Sequence, residues 1–255
     1  MVEMTTQGAG LKTEDRPKRF LLVVDGDGSH LYYTGILLQR LDYTIHATKT
    51  AEEALEIMDV AKPSLVLTDV QLLHMNGIDL LKQVKKNPIT RTIPVIVYTL
   101  LKDPIVKETC LKEGAAAFLR KPVDPDVLYA TIQRATEATP RSYVRLTTCL
   151  SAVIGGGQGV QSDSRYDCVS ALSEHGMYVS TPKPRPAGLQ IPIVLLLGNA
   201  ELKIDGVVLY SFDKSKGPLQ TPGMGIKFLR IKPEDQALIK TFIERQLTGG
   251  LDPTK

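Results

Sequence analysis

The stretch FLLVVD at residues 20–25 indicates the fold class, because five consecutive apolar residues are followed directly by an acid. Four further runs of strand length, rich in aliphatic residues, follow it at residues 44–48, 64–68, 94–99 and 116–119. Several are apolar at consecutive positions, which is typical of parallel strands covered on both faces. Helical patterns lie between them, one opening with a capping box at Thr50 and Glu53, another at Asp124 before Pro125. This alternation predicts a doubly wound, five-stranded parallel sheet over residues 18–137.

The pattern changes near residue 138, where strand-like runs punctuated by glycine replace the alternation. These glycines fall at residues 155–157, 176, 188, 206, 223 and 225. Such a pattern predicts antiparallel hairpins that form a small closed β-barrel over residues 138–248. A closing helix is expected after Pro233, with an apolar stripe to cover the sheet formed by Leu238, Ile239, Phe242, Ile243 and Leu247. Residues 1–17 and 249–255 lack apolar periodicity and are predicted to be flexible.

Composition excludes several classes of protein. The 255 residues, 43% hydrophobic and 23% charged, fit one large globular domain or two ordinary ones. The longest apolar run, residues 191–197, contains a proline and is far shorter than the roughly 20 residues of a membrane helix. Three cysteines without metal-ligand spacing predict free thiols in a reducing cytoplasm. The net charge of +3, with neither a basic helix nor an aromatic platform, argues against a nucleic-acid partner.

A set of chemically reactive side chains follows the predicted parallel strands. Asp25 comes after the first strand, Asp69 after the third, Thr99 ends the fourth, and Lys121 follows the fifth. Ligands of such sheets bind at the carboxyl ends of the strands, so these four side chains are expected to converge. A nucleophilic carboxylate, a second carboxylate for a divalent cation, a hydroxyl and an ammonium together suit phosphoryl transfer.

The motifs that carry these residues resemble a response-regulator receiver domain over residues 18–137. They are LLVVD at 21–25, LTD at 67–69, MNG at 75–77, VYT at 97–99 and FLRKP at 118–122. The resemblance implies that a partner histidine kinase phosphorylates Asp69. It also implies that Thr99, Lys121 and Phe118 form the switch that senses the aspartyl phosphate, and that Asp25 and Asp69 hold Mg²⁺.

Two features of the first strand end qualify this assignment. The family has two adjacent acids there, whereas the second position is Gly26 here, which predicts weak magnesium binding because charge count sets affinity. The stretch DGDGS at 25–29 also resembles the nucleophile loop of haloacid-dehalogenase phosphatases. That family needs a late strand ending in an acidic pair, which does not follow Lys121. We therefore expect a signalling domain and no enzyme, with a phosphatase as a minor alternative.

The second half resembles a PilZ domain, the barrel that binds cyclic di-GMP. The motifs are RSYVR at 141–145, ALSEHG at 171–176 and GMGIKF at 223–228. The resemblance implies that Arg141 and Arg145 hold the phosphates and stack on guanine, while Ser173 and Gly176 complete the site. Ala171 stands where the family has Asp or Asn, and a methyl group makes no hydrogen bond to a guanine edge. An unpaired polar edge costs roughly 1–3 kcal/mol.

Together these inferences predict a cytoplasmic two-component response regulator with a PilZ output. The last receiver helix is expected to lead straight into Arg141 and Arg145, so that phosphorylation repositions the arginines. The family implies a downstream protein partner, and receiver domains also pair as homodimers. The alternative is a degenerate scaffold that acts only through protein contacts and binds neither phosphate nor nucleotide, as Gly26 and Ala171 suggest.

Overall fold

The first half of the chain is a parallel sheet flanked by helices. The computed structural model describes residues 20–141, 143–155, 167–213 and 222–251. The five strands are parallel and lie in the order β2-β1-β3-β4-β5, which confirms the predicted doubly wound sheet. Their bounds are β1 Phe20–Val24, β2 Thr44–Thr48, β3 Leu65–Thr68, β4 Val95–Thr99 and β5 Ala117–Arg120.

Four helices connect these strands and a fifth follows the last strand, and each begins at a side chain that caps its first turn. The caps are Asp27, Thr50, Asn76, Asp103 and Asp124. The expected starts at Thr50 and Asp124 are therefore correct, since a side-chain oxygen satisfies a free backbone N–H at each. The helices are α1 Gly28–Arg40, α2 Ala51–Val60, α3 Gly77–Lys86, α4 Pro104–Lys112 and α5 Pro125–Thr136.

Only half of the predicted capping box at the start of α2 forms. The Thr50 hydroxyl accepts a hydrogen bond from the Glu53 backbone N–H, as expected. The Glu53 carboxylate, however, accepts from the Thr48 hydroxyl, and the Thr50 N–H donates to that same hydroxyl. Because Thr48 ends β2 immediately before α2, its hydroxyl bonds to both residues and takes the place of a direct bond from the Thr50 N–H to the Glu53 carboxylate.

The second half is a closed antiparallel barrel with a terminal helix, as predicted. Its strands follow one another around the barrel in the order β10-β11-β8-β7-β6-β9. The strands are β6 Leu146–Ile154, β7 Asp167–Ser173, β8 Gly176–Ser180, β9 Gln190–Leu197, β10 Ala200–Phe212 and β11 Gly223–Arg230, and the helix is α6 Pro233–Thr248.

The predicted apolar stripe of α6 is narrower than expected. Ile239, Ile243 and Leu247 are buried, and Phe242 is half-buried against them. Leu238 is 47% exposed, so its assignment to the stripe was wrong. Residues spaced by four lie along one side of a helix, and Leu238 falls beside that line rather than on it.

Several glycines expected to punctuate the barrel strands lie inside strands instead. Gly206 is within β10, and Gly223 and Gly225 open β11. A side chain at Gly225 would collide with the Tyr210 ring, which lies across the glycine backbone. Glycine is required there because an aromatic ring on a neighbouring strand approaches the backbone closely. Of the predicted turn at 155–157, Gly155 has φ +79°, and residues 156 and 157 lie outside the described residues.

The two halves of the chain pack against each other through α1 and α6. The guanidinium of Arg40, the last residue of α1, donates to the carbonyls of Leu247 (2.8 Å) and Gly249 (2.9 Å). One apolar cluster runs without interruption from Leu128 and Ile132 of α5 into the barrel interior. The predicted boundaries at 137/138 and 248/249 and the flexible ends stay predictions, and residues 1–19 and 252–255 lie outside the described residues.

Within the described part of the chain, no helix combines the length and apolarity needed to cross a membrane.

Candidate functional site

Three of the predicted site residues meet in a buried cleft at the carboxyl ends of the parallel strands. The Lys121 Nζ lies 2.5 Å from Asp25 Oδ2 and 2.5 Å from Asp69 Oδ2. The three residues are only 4–6% exposed. Two carboxylates and one ammonium leave one negative charge in the cleft. That residual charge favours a further cation or a positively charged reaction partner.

Backbone donors orient the two carboxylates of the cleft. Asp25 Oδ1 accepts from the Asp27 N–H at 3.0 Å, and Asp69 Oδ1 accepts from the Gln71 N–H at 3.0 Å. Each carboxylate therefore keeps one oxygen on the chain that follows its strand and turns the other toward Lys121. Burial raises the pKa of the Asp25 carboxyl above its usual value, even though the hydrogen bond and charge of Lys121 oppose that shift.

Thr99, another predicted site residue, ends β4, and Phe118 lies on the neighbouring strand β5. The Thr99 carbonyl accepts from the Lys121 N–H at 2.8 Å, which holds β4 and the end of β5 together. The Thr99 side chain is fully buried, and its hydroxyl accepts weakly from Leu101 N at 3.4 Å. Phe118 pairs with Val97 and is half-buried against the apolar cluster under α2, α3 and α4.

The cleft offers hard oxygen donors of the kind that Mg²⁺ prefers, although fewer acids than the family pattern. A Cβ built on Gly26 would lie 3.3 Å from the Gln71 carbonyl oxygen. An acid at position 26 would therefore lie close to this carbonyl. Within residues 20–141, 143–155, 167–213 and 222–251, no group of three or more His, Cys, Asp or Glu side chains could hold a metal. The donors present are the carboxylates of Asp25 and Asp69 and this carbonyl.

Asp27, the second aspartate of the DGDGS stretch, serves as a helix cap. Its carboxylate accepts from the backbone N–H groups of Ser29 (2.8 Å) and His30 (3.0 Å). These bonds, chiefly the one from His30, lower the pKa of Asp27. Because the side chain is exposed and faces the start of α1, it does not join Asp25 in the cleft.

Sequence reasoning missed an aromatic residue beside the charged cleft. The Lys121 Nζ lies 5.3 Å from the centroid of the Tyr98 ring, within range of a cation–π contact. Tyr98 is 4% exposed, and burial raises the pKa of its phenol well above the usual value. The available signal was its position near the carboxyl end of β4, one residue before Thr99. Successive strand residues face opposite sides of a sheet, so this position did not by itself place Tyr98 beside Lys121.

The two arginines predicted for the barrel site lie in an irregular segment, on either side of a buried residue. Arg141 and Arg145 are both exposed, whereas Val144 between them is 2% exposed. The expectation that α5 leads straight into Arg141 is wrong. The helix ends at Thr136 because Glu137 adopts an extended backbone, with φ −115° and ψ 138°.

The turn between β7 and β8 holds the other two predicted ligand residues. The Ser173 hydroxyl donates to the Gly176 carbonyl at 2.9 Å. A side chain at Gly176 would lie 2.5 Å from the Ile226 carbonyl oxygen, so the neighbouring strand requires glycine there. The register pairs Gly176 with Ser173 on one side and with Lys227 on the other. Lys227 is exposed and was missed as a site residue, because only strand pairing brings it beside the turn.

Side chains tie this turn to the arginine segment and to α6. The Tyr143 ring lies edge-on to the His175 ring, with centroids 4.1 Å apart. The Gln236 amide nitrogen lies 3.2 Å from His175 Nδ1 and 3.4 Å from the Glu174 carboxylate.

The receiver half holds the arginine segment from the other side. The Gln133 side-chain oxygen accepts from the Arg141 N–H at 3.3 Å, and its nitrogen donates to the Tyr43 hydroxyl at 2.9 Å. Burial raises the pKa of Tyr43 to about 12. Ala171 lies between Thr147 and Tyr178 in the sheet and presents only a methyl group.

Comparison with known proteins assigns a family to each half. The family model of the response regulator receiver domain matches residues 21–133, and that of the PilZ domain matches residues 139–245. Two-component response regulator ORR3 of Oryza sativa subsp. indica is 32% identical over 115 residues, covering 45% of this chain and 88% of that protein. The chain is a response regulator with a PilZ domain.

Other relatives match the receiver half of this response regulator. Transcriptional regulatory protein ZraR of Escherichia coli (strain K12) is 37% identical over 120 residues, which is 47% of this chain and 26% of that protein. The response regulator thus spans about a quarter of the length of that curated relative. The crystal structure of a response regulator receiver domain protein from Clostridium thermocellum has 29% sequence identity and a TM-score of 0.43, covering 46% of this chain and 94% of that one.

Proposed function

We propose that this response regulator accepts a phosphoryl group on Asp69 from a partner histidine kinase and that its PilZ domain binds cyclic di-GMP. The contact of one buried ammonium, Lys121, with the carboxylates of Asp25 and Asp69 carries the first part of the proposal. The second part is supported by the contact of Tyr143, which lies between Arg141 and Arg145, with His175 of the turn between β7 and β8.

In the proposed transfer, a carboxylate oxygen of Asp69 attacks the phosphorus of a phosphohistidine, and the bond from phosphorus to the imidazole nitrogen breaks. The imidazole leaves with the electron pair and takes up a proton. Lys121 then exchanges its contact with Asp69 for the phosphoryl oxygens, whose charge it neutralises. In this proposal the hydroxyl of Thr99, at the end of the strand beside β3, donates to the same oxygens.

The residues of the cleft fit a magnesium ion with reduced affinity. Asp25, Asp69 and the Gln71 carbonyl would hold it, and the missing acid at Gly26 would weaken it. A bound Mg²⁺ supplies charge neutralisation to the phosphoryl oxygens.

Labelling of the full chain tests the phosphorylation. With acetyl phosphate and MgCl₂, intact mass spectrometry should find one phosphoryl adduct, which Asp69→Asn should abolish. Asp59→Asn, an exposed acid on α2, is the matched control and should label like the unaltered protein. An adduct that survives Asp69→Asn would refute the assignment. The absence of any adduct on the unaltered chain would favour the scaffold alternative.

The nucleotide site is supported by three cations from two separate segments. Arg141 and Arg145 precede β6, and Lys227 of β11 is paired with Gly176. A cyclic dinucleotide carries two phosphates, and three cations supply enough positive charge to pair with both. The methyl group of Ala171 contributes no hydrogen bond to a guanine edge, which lowers the expected affinity.

Calorimetric titration of cyclic di-GMP tests this site. The unaltered chain should bind, and Arg141→Ala and Lys227→Ala should each weaken binding about tenfold through loss of a phosphate contact. Ala171→Asp should tighten binding by about one to two decades. Lys203→Ala, an exposed lysine on β10, is the control and should leave the affinity unchanged. Binding that appears only with Ala171→Asp would mark the natural site as non-functional.

A further inference from the structure

Two cysteines lie side by side on the outer surface of the barrel, outside the residues assigned to either site. The Sγ atoms of Cys149 on β6 and Cys168 on β7 are 3.7 Å apart, and no disulfide joins them. Cys149 is exposed and Cys168 is half-buried. Small reagents in solution therefore reach the pair, whereas the third cysteine, Cys110, is buried in the receiver half.

The strand register explains why the two thiols meet. The pairing of β6 with β7 shifts by one residue between Thr147 and Leu150, so β6 carries an extra residue there. An extra residue of this kind bends the strand and re-aims a side chain. Cys149 lies within the shifted stretch, and its thiol contacts Cys168 across the strand pair.

The side chains around Cys149 and Cys168 favour a disulfide over a metal site. Structural zinc takes four protein ligands. Among the residues whose positions are described, His, Cys, Asp and Glu side chains form no group of three or more suited to a metal. A disulfide needs a sulfur separation of about 2.0 Å. Rotation of the two surface side chains can supply the movement from 3.7 Å.

We propose that Cys149 and Cys168 form an intramolecular disulfide when the protein meets a two-electron oxidant such as hydrogen peroxide. The Cys149 thiolate attacks one peroxide oxygen, the O–O bond breaks, and the released hydroxide takes up a proton to become water. The Cys168 thiolate then attacks the sulfur of the resulting sulfenic acid, the S–O bond breaks, and a second water leaves. Two thiols and one peroxide thus give one disulfide and two waters.

The surroundings of the two thiols set this order of attack. Burial, together with the hydrogen bond and charge of the neighbouring thiol, raises the pKa of Cys168. A thiol with a raised pKa is mostly protonated at neutral pH, and only the thiolate attacks peroxide. Cys149, the more exposed of the two, is therefore the first to react, and Cys168 resolves the intermediate. Burial likewise raises the pKa of Cys110, which is expected to stay reduced.

Thiol counting on the full chain tests the proposal. The reduced protein should show three titratable thiols under denaturing conditions, and one after treatment with a small molar excess of hydrogen peroxide. Peptide mapping should then find a species linking Cys149 to Cys168, with the chain monomeric on a non-reducing gel. Dithiothreitol should restore three thiols. The bond should also raise Tm, on the order of 5 °C, because it closes the intervening loop in the unfolded chain.

Three variants, each with one cysteine replaced by serine, complete the experiment. Cys110→Ser should still form the linked species, whereas Cys149→Ser and Cys168→Ser should each retain Cys110 and fail to form it. Three remaining thiols in the oxidised unaltered protein would overturn the proposal, as would links only between chains or a linked species containing Cys110. The readout does not involve phosphorylation or nucleotide binding, so its outcome is independent of the function proposed above.

Discussion

At the residue scale, Lys121 shares one positive charge between two buried carboxylates. Burial raises the pKa of the Asp25 carboxyl more than Lys121 lowers it, so ionised Asp25 is less favourable in the folded chain than in the unfolded chain. The ionised Asp25 side chain therefore opposes folding at neutral pH. Its presence in the cleft fits a chemical role rather than a contribution to stability.

Substitution of Asp25 by Asn should raise the stability of the protein in a pH-dependent way. Because the pKa of Asp25 is higher in the folded state than in the unfolded state, the folded chain keeps the Asp25 proton up to a higher pH. The unaltered protein therefore loses stability relative to Asp25→Asn as pH rises from about 4 through the folded pKa. Melting temperatures of both proteins between pH 4 and pH 8 would measure this. A difference that does not grow with pH would contradict the assignment.

At the element scale, the end of α6 depends on a side chain from the other half of the chain. The last carbonyls of a helix have no partner within the helix. The Arg40 guanidinium binds two of them, at Leu247 and Gly249, and places a positive charge at the negative end of the helix dipole. The last turn of α6 and the C-terminus of α1 are thereby fastened together.

Arg40→Ala should destabilise the protein by about 1 kcal/mol, because it removes two hydrogen bonds and a favourable charge at a helix end. For a chain of this size, that corresponds to a fall in Tm of about 2–4 °C. Thermal unfolding followed by circular dichroism would measure it, with Arg91→Ala, an exposed arginine elsewhere in the receiver half, as the control. Equal melting temperatures for the two variants would show that the contact contributes nothing.

At the scale of the whole molecule, the apolar cluster on one face of the parallel sheet extends into the barrel, and the predicted switch residue Phe118 lies in the cluster on the other face. Phe118 lies against the cluster under α2, α3 and α4. Tyr98 belongs instead to the cluster that continues through Leu128 of α5 to Val144 of the barrel. Tyr98 also lies 5.3 Å from the Lys121 ammonium, so it links the charged cleft to the apolar cluster that includes the barrel core.

We therefore expect that Tyr98→Leu uncouples the two halves more than Phe118→Leu does. In the unaltered protein, beryllofluoride with magnesium should change the affinity for cyclic di-GMP, and the ligand should act on the receiver in return. Calorimetry with and without beryllofluoride would measure that change in each variant, after circular dichroism has shown that both are folded. If beryllofluoride failed to change the cyclic di-GMP affinity of Phe118→Leu alone, the coupling between the two halves would run through the opposite face of the sheet.

Sequence alone was enough to predict the strands of the parallel sheet, two of the helix caps, the barrel class and the three charged residues of the cleft. It could do so because apolar periodicity, caps and strand-end acids are local signals, and because strands in a parallel sheet end at a common edge. Only the tertiary structure decided that Lys227 pairs with Gly176, that Leu238 is exposed, and that Cys149 meets Cys168. These depend on register and packing between segments distant in sequence, where a shift of one residue turns a side chain to the other face.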